Sequence, residues 1–249
     1  MIELFYRAAL IEGEGYGTAY EYQVKANLLR AHWEGAQNVL ILGLPEKFGV
    51  SANFLIQADQ TAKPVLLVDD NPALIAQFHQ IKKILQEQQI LQKTDSIISR
   101  KVPKLTDFEP EQKYDLIIIQ KLTSLMNEEY FKKLLKHGGT IFLFAPNANN
   151  FSHQKFSKLT GVDQAELSKI AGAIPHQSGF IDCPPFPSGV KIQRKSSAQE
   201  TQKLSPWSQA LDMIFLSCLN LLCNLEPRFP HRIKEKYSHI IYLTLERQS

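Results

Sequence analysis

Short apolar runs alternate with amphipathic stretches over the first 147 residues. Residues 39–42 (Val-Leu-Ile-Leu) read as a buried strand ending at Gly43, and residues 64–68 as a second. Residues 114–119 and 140–145 are further runs of β-formers, with a shorter candidate at Ser96-Ile-Ile-Ser. Between them lie helical patterns. Residues 18–33 place Tyr22, Leu28, Leu29 and Trp33 among their apolar positions, and a helix opens within 49–56. After Asn71 as N-cap and Pro72 at the first helical position, Leu74, Ile75, Phe78, Ile81 and Leu85 follow at helical spacing. Asn127-Glu-Glu caps another helix, whose last turns carry Lys132, Lys133 and Lys136 and which Gly138-Gly139 is expected to stop.

Beyond Asn147 the rhythm breaks. Residues 151–173 read as helical, 179–182 as a short strand, and 184–205 as a Pro/Ser/Lys-rich insertion. A helix over 206–225, a basic turn and a strand over 239–245 complete the pattern, and no internal repeat is present. The expected architecture is α/β in three layers, a mostly parallel sheet with an antiparallel last strand and helices on both faces. Three parts are expected: a helical lid or extension over 1–37, a core over 38–147, and 148–249 completing the sheet with a substrate-side insertion at about 184–236.

Composition narrows the function classes. With 44% apolar and 21% charged residues the chain is a globular protein rather than a disordered one. A formal charge of +3 lacks the concentrated basic stripe of a nucleic-acid binder, so no nucleic-acid partner is expected. Three cysteines are too few for a disulfide framework, and the start of the chain shows no basic leader, so a cytoplasmic location is expected. The greasiest stretch, 207–225, carries Gln209, Asp212, Asn220 and Asn224, a load that argues against a spanning helix. His153, His176, His231 and His239 have no metal-ligand spacing, and no metal is expected.

The candidate chemistry begins where residues 65–68 close on Asp69, followed by Asp70. At the tip of the second strand of a parallel sheet, Asp69 is expected to accept hydrogen bonds from ribose hydroxyls, while the preceding strand-to-helix turn holds the rest of a nucleoside cofactor. The alternative is that Asp69 only caps the next helix, which Asp70 or Asn71 could do equally well.

The order of parts resembles the class I S-adenosylmethionine-dependent methyltransferases, whose sheet is Rossmann-like. Val39-Leu-Ile-Leu-Gly43 is similar to that family's first motif and Val68-Asp-Asp-Asn-Pro72 to its acidic second motif. Tyr114-Asp-Leu-Ile-Ile-Ile119 resembles the fourth-strand motif, and Leu135-Lys-His-Gly-Gly-Thr-Ile-Phe142 the fifth. The resemblance covers about 38–147 and implies S-adenosylmethionine held by Gly43, Leu44, Pro45, Gly49, Asp69, Asp70 and Gln120. It also implies a substrate side near Lys121, and Tyr16 and Tyr20 beside a Gly-rich turn and His153 are further substrate-side candidates. For the tyrosines, the competing account is a helix packing its aromatics on the sheet.

The sequence departs from the family at two places. Pro45 stands where a glycine is expected and removes an N–H, and no acidic residue near 99–103 faces the adenine. The resemblance implies methyl transfer to a small-molecule or lipid-like acceptor. The alternatives are a methyltransferase-like binding or scaffold module and, further off, an NAD-linked oxidoreductase, for which Gly43-Leu-Pro45 lacks the G-x-G-x-x-G arrangement. Residues 183–189 (Cys-Pro-Pro-Phe-Pro-Ser-Gly) read either as a pocket wall or as a linker. In 207–225 the broad face of Leu211, Ile214, Phe215, Cys218, Leu219 and Leu222 is expected to pack in the core. With Arg228, His231, Arg232, Lys234 and Lys236 it offers the alternative of a peripheral membrane contact through 207–236.

Overall fold

A computed structural model of the protein describes residues 1–44, 52–123, 126–151, 161–184 and 206–247. Seven strands form one sheet: β1 (Val39–Leu42), β2 (Val65–Asp69), β3 (Ile97–Lys101), β4 (Tyr114–Ile119), β5 (Leu135–Pro146), β6 (His176–Ile181) and β7 (Ile240–Glu246). Their order is β3-β2-β1-β4-β5-β7-β6. The pairs from β3 through β5 are parallel, while β7 runs antiparallel to both β5 and β6. β6 therefore points the same way as β5, and its carboxyl end lies on the same edge as those of β1, β2 and β4.

β1 is apolar throughout, and β4 from Leu116 and β5 from Ile141 to Ala145 are too, because both faces are covered there. Val39, Ile41, Ile118, Phe142 and Phe144 face a cluster built with α1 (Ile2–Ile11), α2 (Tyr16–Gly35), α3 (Ala52–Thr61), α4 (Pro72–Glu87) and α7 (Pro206–Leu225). Leu40, Leu42, Ile117, Ile119, Ile141 and Leu143 face α5 (Glu128–Leu134) and α6 (Gln164–Ala171). A short helix α8 (His231–Tyr237) precedes β7. The caps expected from sequence are in place, with Asn71 Oδ1 accepting from the Ala73 N–H at 3.0 Å and Asn127 Oδ1 from the Tyr130 N–H at 3.1 Å.

The segment 2–11, within the part expected to be helical over 1–37, forms a helix. Three local expectations are corrected. α5 ends at Leu134, and β5 starts at Leu135, so Lys136 and Gly138-Gly139 belong to the strand rather than to a helix end. The glycine pair serves a register irregularity opposite Tyr114 and Leu116. A Cβ on Gly139 would sit 3.0 Å from the Asp115 and Tyr114 carbonyl oxygens, which explains the side-chain-free position. Of the segment expected to be helical over 151–173, residues 152–160 lie outside the described residues; 161–163 are not helical, and the helix there is α6, set by an Asp163–Glu166 capping box. The third correction concerns α7. Leu211, Ile214 and Cys218 of the face expected in the core are exposed; Leu219 of that face is buried as expected, and Leu216 and Cys223 are buried beside it.

Candidate active site

The described residues assigned to cofactor binding lie at the carboxyl edge of the sheet, where β1, β2 and β4 end side by side. β1 hands over to Gly43, whose N–H donates to the Val68 carbonyl at 2.8 Å and whose φ is +81°. A left-handed turn here lets the chain leave the strand tip abruptly. The carboxylate of Asp69, fully buried, braces this turn. Its Oδ2 accepts from the Leu44 N–H and its Oδ1 from the Asn71 N–H, both at 2.6 Å. Burial drives the Asp69 carboxyl upward from its ordinary pKa, against the pull of the two N–H donors and of Lys121.

Asp70, next along the chain, is only partly buried and pairs with Lys121 Nζ at 2.9 Å. Lys121 follows β4, so its side chain crosses the mouth between β4 and β2 directly over Gly43. Gln120 is anchored by its own N–H to the Leu42 carbonyl at 3.0 Å, with its amide Nε2 3.4 Å from the Gly43 carbonyl. The structure thus gathers Gly43, Leu44, Asp69, Asp70, Gln120 and Lys121 at one place. Pro45, Gly49 and His153 lie outside the described residues.

Tyr16 and Tyr20 are placed differently from a free lid. Tyr16 stacks on Tyr6 at 4.5 Å between ring centroids, meets Phe215 edge-on at 4.6 Å, and donates its hydroxyl to Asp212. Tyr20 is fully buried, and its hydroxyl donates to Glu226 Oε2 at 2.5 Å. Burial and the adjacent carboxylates push both phenols far up, so both stay protonated and act as donors rather than bases.

Glu226 belongs to a second acidic group on the same edge that the sequence reading did not assign. It accepts from the Asp182 N–H at 2.9 Å and the Cys183 N–H at 3.1 Å, clasping the chain as it leaves β6. Asp182 is buried at φ +64°, and its Oδ1 has no hydrogen-bond partner among the described residues. Its carbonyl accepts from the His239 N–H at 2.8 Å, tying β6 to the start of β7. A signal for it existed, since Phe180-Ile181-Asp182 repeats the pattern of an apolar run closing on an acid that marked Asp69. Burial also raises the Cys183 thiol to about 11, which keeps it protonated at neutral pH.

Burial first, then repulsion from Glu21 and Glu226, holds the Asp182 carboxyl well above its ordinary pKa, with Lys25 opposing. A folded value above the unfolded one makes stability greatest below the unfolded pKa. Stability is then lost as pH rises from there through the folded pKa. Asp182→Asn removes the titration, keeps the shape and suits a positive φ. It should therefore stabilise the protein at neutral pH by about 1–2 kcal/mol and flatten its stability between acid and neutral pH, read by urea unfolding. An unchanged pH profile would refute this assignment.

Neither a protein-family model nor a curated protein sequence matches the chain. Solved structures do. The methyltransferase domain of bacterial CtHen1 superposes with a TM-score of 0.50 at 12% identity, over 91% of this chain and 97% of that one. Coclaurine N-methyltransferase bound to N-methylheliamine and SAH gives 0.48 at 13% identity, over 92% and 70%. Geranyl diphosphate C-methyltransferase from Streptomyces coelicolor gives 0.46 at 14%, over 90% and 78%. With the seven-stranded order above and the antiparallel β7, the chain has the Rossmann-like fold of the class I methyltransferases.

Proposed function

We propose that the chain is a cytoplasmic S-adenosylmethionine-dependent methyltransferase acting on a small-molecule or lipid-like acceptor. The observation that carries this reading is the pair of acids closing β2 beside the Gly43 turn, with labour divided between them. Asp69 spends both oxygens on the backbone of Leu44 and Asn71, so it shapes the turn. Asp70, rather than the Asp69 expected from sequence, is the carboxylate at the rim, and it fits ribose hydroxyls as an acceptor. Gly43 makes the left-handed turn at the strand tip, and its missing side chain makes room for Lys121, the partner of Asp70. The residues present therefore fit the group.

When bound, S-adenosylmethionine supplies an electrophilic methyl carbon on a sulfonium that leaves as a neutral thioether. The chain's own residues bind and orient. Asp70 is held in place by Lys121, and its carboxylate would accept from the ribose hydroxyls of a bound cofactor. Gln120, fixed by its backbone to β1, keeps the end of β4 in register with the turn. Tyr16 and Tyr20, locked in donor roles, keep α2 in place alongside the edge. The free thiols Cys183, Cys218 and Cys223 support a reducing compartment.

The test is a thermal shift and calorimetric titration with S-adenosylhomocysteine. At a hundredfold excess over Kd the melting temperature should rise by roughly 5–10 °C. Asp70→Ala should abolish most of the rise, whereas Lys121→Ala, which frees Asp70, should preserve or increase it. The rival reading, a binding or scaffold module without methyl transfer, draws on the saturation of Asp69 and the Lys121–Asp70 closure. No shift at millimolar ligand in any of the three proteins would decide for that rival.

A further inference from the structure

Helix α7 (Pro206–Leu225) inverts the usual polarity of a surface helix. Its one charged residue, Asp212, meets the Tyr16 hydroxyl, while Leu216, Leu219 and Cys223 fill the seam with the core. On the opposite side, Leu211, Ile214 and Leu221 are 65%, 62% and 60% exposed, followed by Leu225 at 37%. Steps of three, seven and four residues put these four on one continuous stripe. Exposed Cys218 lies within it and breaks it with no charge. An apolar stripe four turns long facing water is unfavourable unless something covers it.

The segment that follows says what covers it. Arg228, Arg232 and Lys236 are exposed, and exposed Ile233 and Tyr237 stand among them. The acids nearby do not balance the cations, because Arg228, Arg232, Lys234 and Lys236 outnumber Glu235 and because Glu226 is buried in its clasp. Lys236 lies over the Tyr237 ring at 5.2 Å and the Phe151 ring at 5.7 Å, grouping cation and aromatics at one spot. An apolar helix face running into an unbalanced basic segment with aromatic residues matches the boundary between headgroups and acyl chains of an anionic bilayer. A second copy of the chain would cover the stripe but leave the cations without counter-charge.

We propose that α7 and the basic segment after it form a docking face for an anionic membrane surface. By length and composition, 210–228 could cross a membrane, with a mean hydropathy of 1.2. It lies on the surface instead, because Leu216, Leu219 and Cys223 hold its inner side against the core and Glu226 pins its end to the chain leaving β6. That pin joins the docking face to the sheet edge bearing Asp70 and Lys121. Delivery of a lipid acceptor from the bilayer to that edge rests on the methyltransferase reading; the docking itself does not.

Flotation of the full chain with vesicles tests it, using phosphatidylcholine alone and phosphatidylcholine with one-third phosphatidylglycerol. The protein should float with the anionic vesicles and be released by high salt. Arg228→Ala should lower the partition about fivefold, and Ile214→Asp or Leu221→Asp should abolish it. Both apolar positions face solvent, so melting curves should stay unchanged. Should a variant fail to fold, the lipid and salt comparison on the wild type still decides. Equal recovery with both vesicle types, or no flotation with either, would overturn the proposal. So would sedimentation showing a dimer that Ile214→Asp dissociates. S-adenosylhomocysteine binding is measured without vesicles, so loss of docking and loss of cofactor binding are read apart.

Discussion

Asp69→Ala is expected to lower the unfolding free energy by about 3–5 kcal/mol and to erase any thermal shift with S-adenosylhomocysteine. The carboxylate is fully buried, and both of its bonds go to backbone N–H groups, Leu44 on one side and Asn71 on the other. Alanine leaves two buried donors unpaired, each costing about 1–3 kcal/mol, and opens a cavity where the carboxylate stood. Asp69→Asn is the informative companion. Its amide retains one acceptor oxygen, so it should lose about half as much, serving one N–H while the other faces an NH2 group. Urea unfolding of the three proteins measures the series. A loss under about 1 kcal/mol for the alanine variant would mean that the turn does not depend on this brace.

Gly43→Ala should cost about 2–4 kcal/mol, for two reasons that add. The backbone sits at φ +81°, where an L side chain is strained. A Cβ there would also lie 2.3 Å from the Lys121 Cβ and 3.1 Å from the Lys121 N, so backbone and not merely a flexible side chain would have to move. The damage should spread to the Lys121–Asp70 pair, because Lys121 can retreat only by pulling the end of β4 away from β1. A double variant with Lys121→Gly removes the 2.3 Å Cβ contact, the severest of the three, but leaves the milder backbone contacts and the backbone strain. It should recover most of the steric part of the loss and leave about 1–2 kcal/mol, and unfolding curves would separate the two contributions. Full recovery in the double variant would show that the strain argument is wrong.

The parts of this edge that were legible in the sequence are those set by neighbours along the chain. Asp69, Asp70, Asn71 and Pro72 write a strand end and a helix start within four residues, and the structure forms them as read. The apolar runs 39–42 and 116–119 were equally plain, because a strand covered on both faces leaves no polar position to blur the pattern. What escaped depends on contacts between distant segments. Nothing in residues 43 and 121 announces that one lies over the other; that follows from β1 and β4 ending level. Gly138-Gly139 looked like a helix stop, since a glycine pair after lysines fits a helix end as well as a strand irregularity. α7 misled for a different reason. Apolar residues occupy most of its circumference, so periodicity could not tell the side that packs from the side left open. The Asp182–Glu226 clasp joins residues far apart in sequence, and only the end of β6 hinted at it.

The position of β7 has a consequence for how the molecule is made. It lies between β5 and β6, and among the described residues β6 pairs with no other strand. As the polypeptide leaves the ribosome, the flank of β5 must therefore wait with unpaired backbone groups until a much later segment arrives, and β6 waits with it. Such an unsatisfied flank is a template for pairing with other chains. Assembly of this half of the sheet therefore waits for β7 to emerge, and the nascent protein should lean on chaperones until β7 inserts.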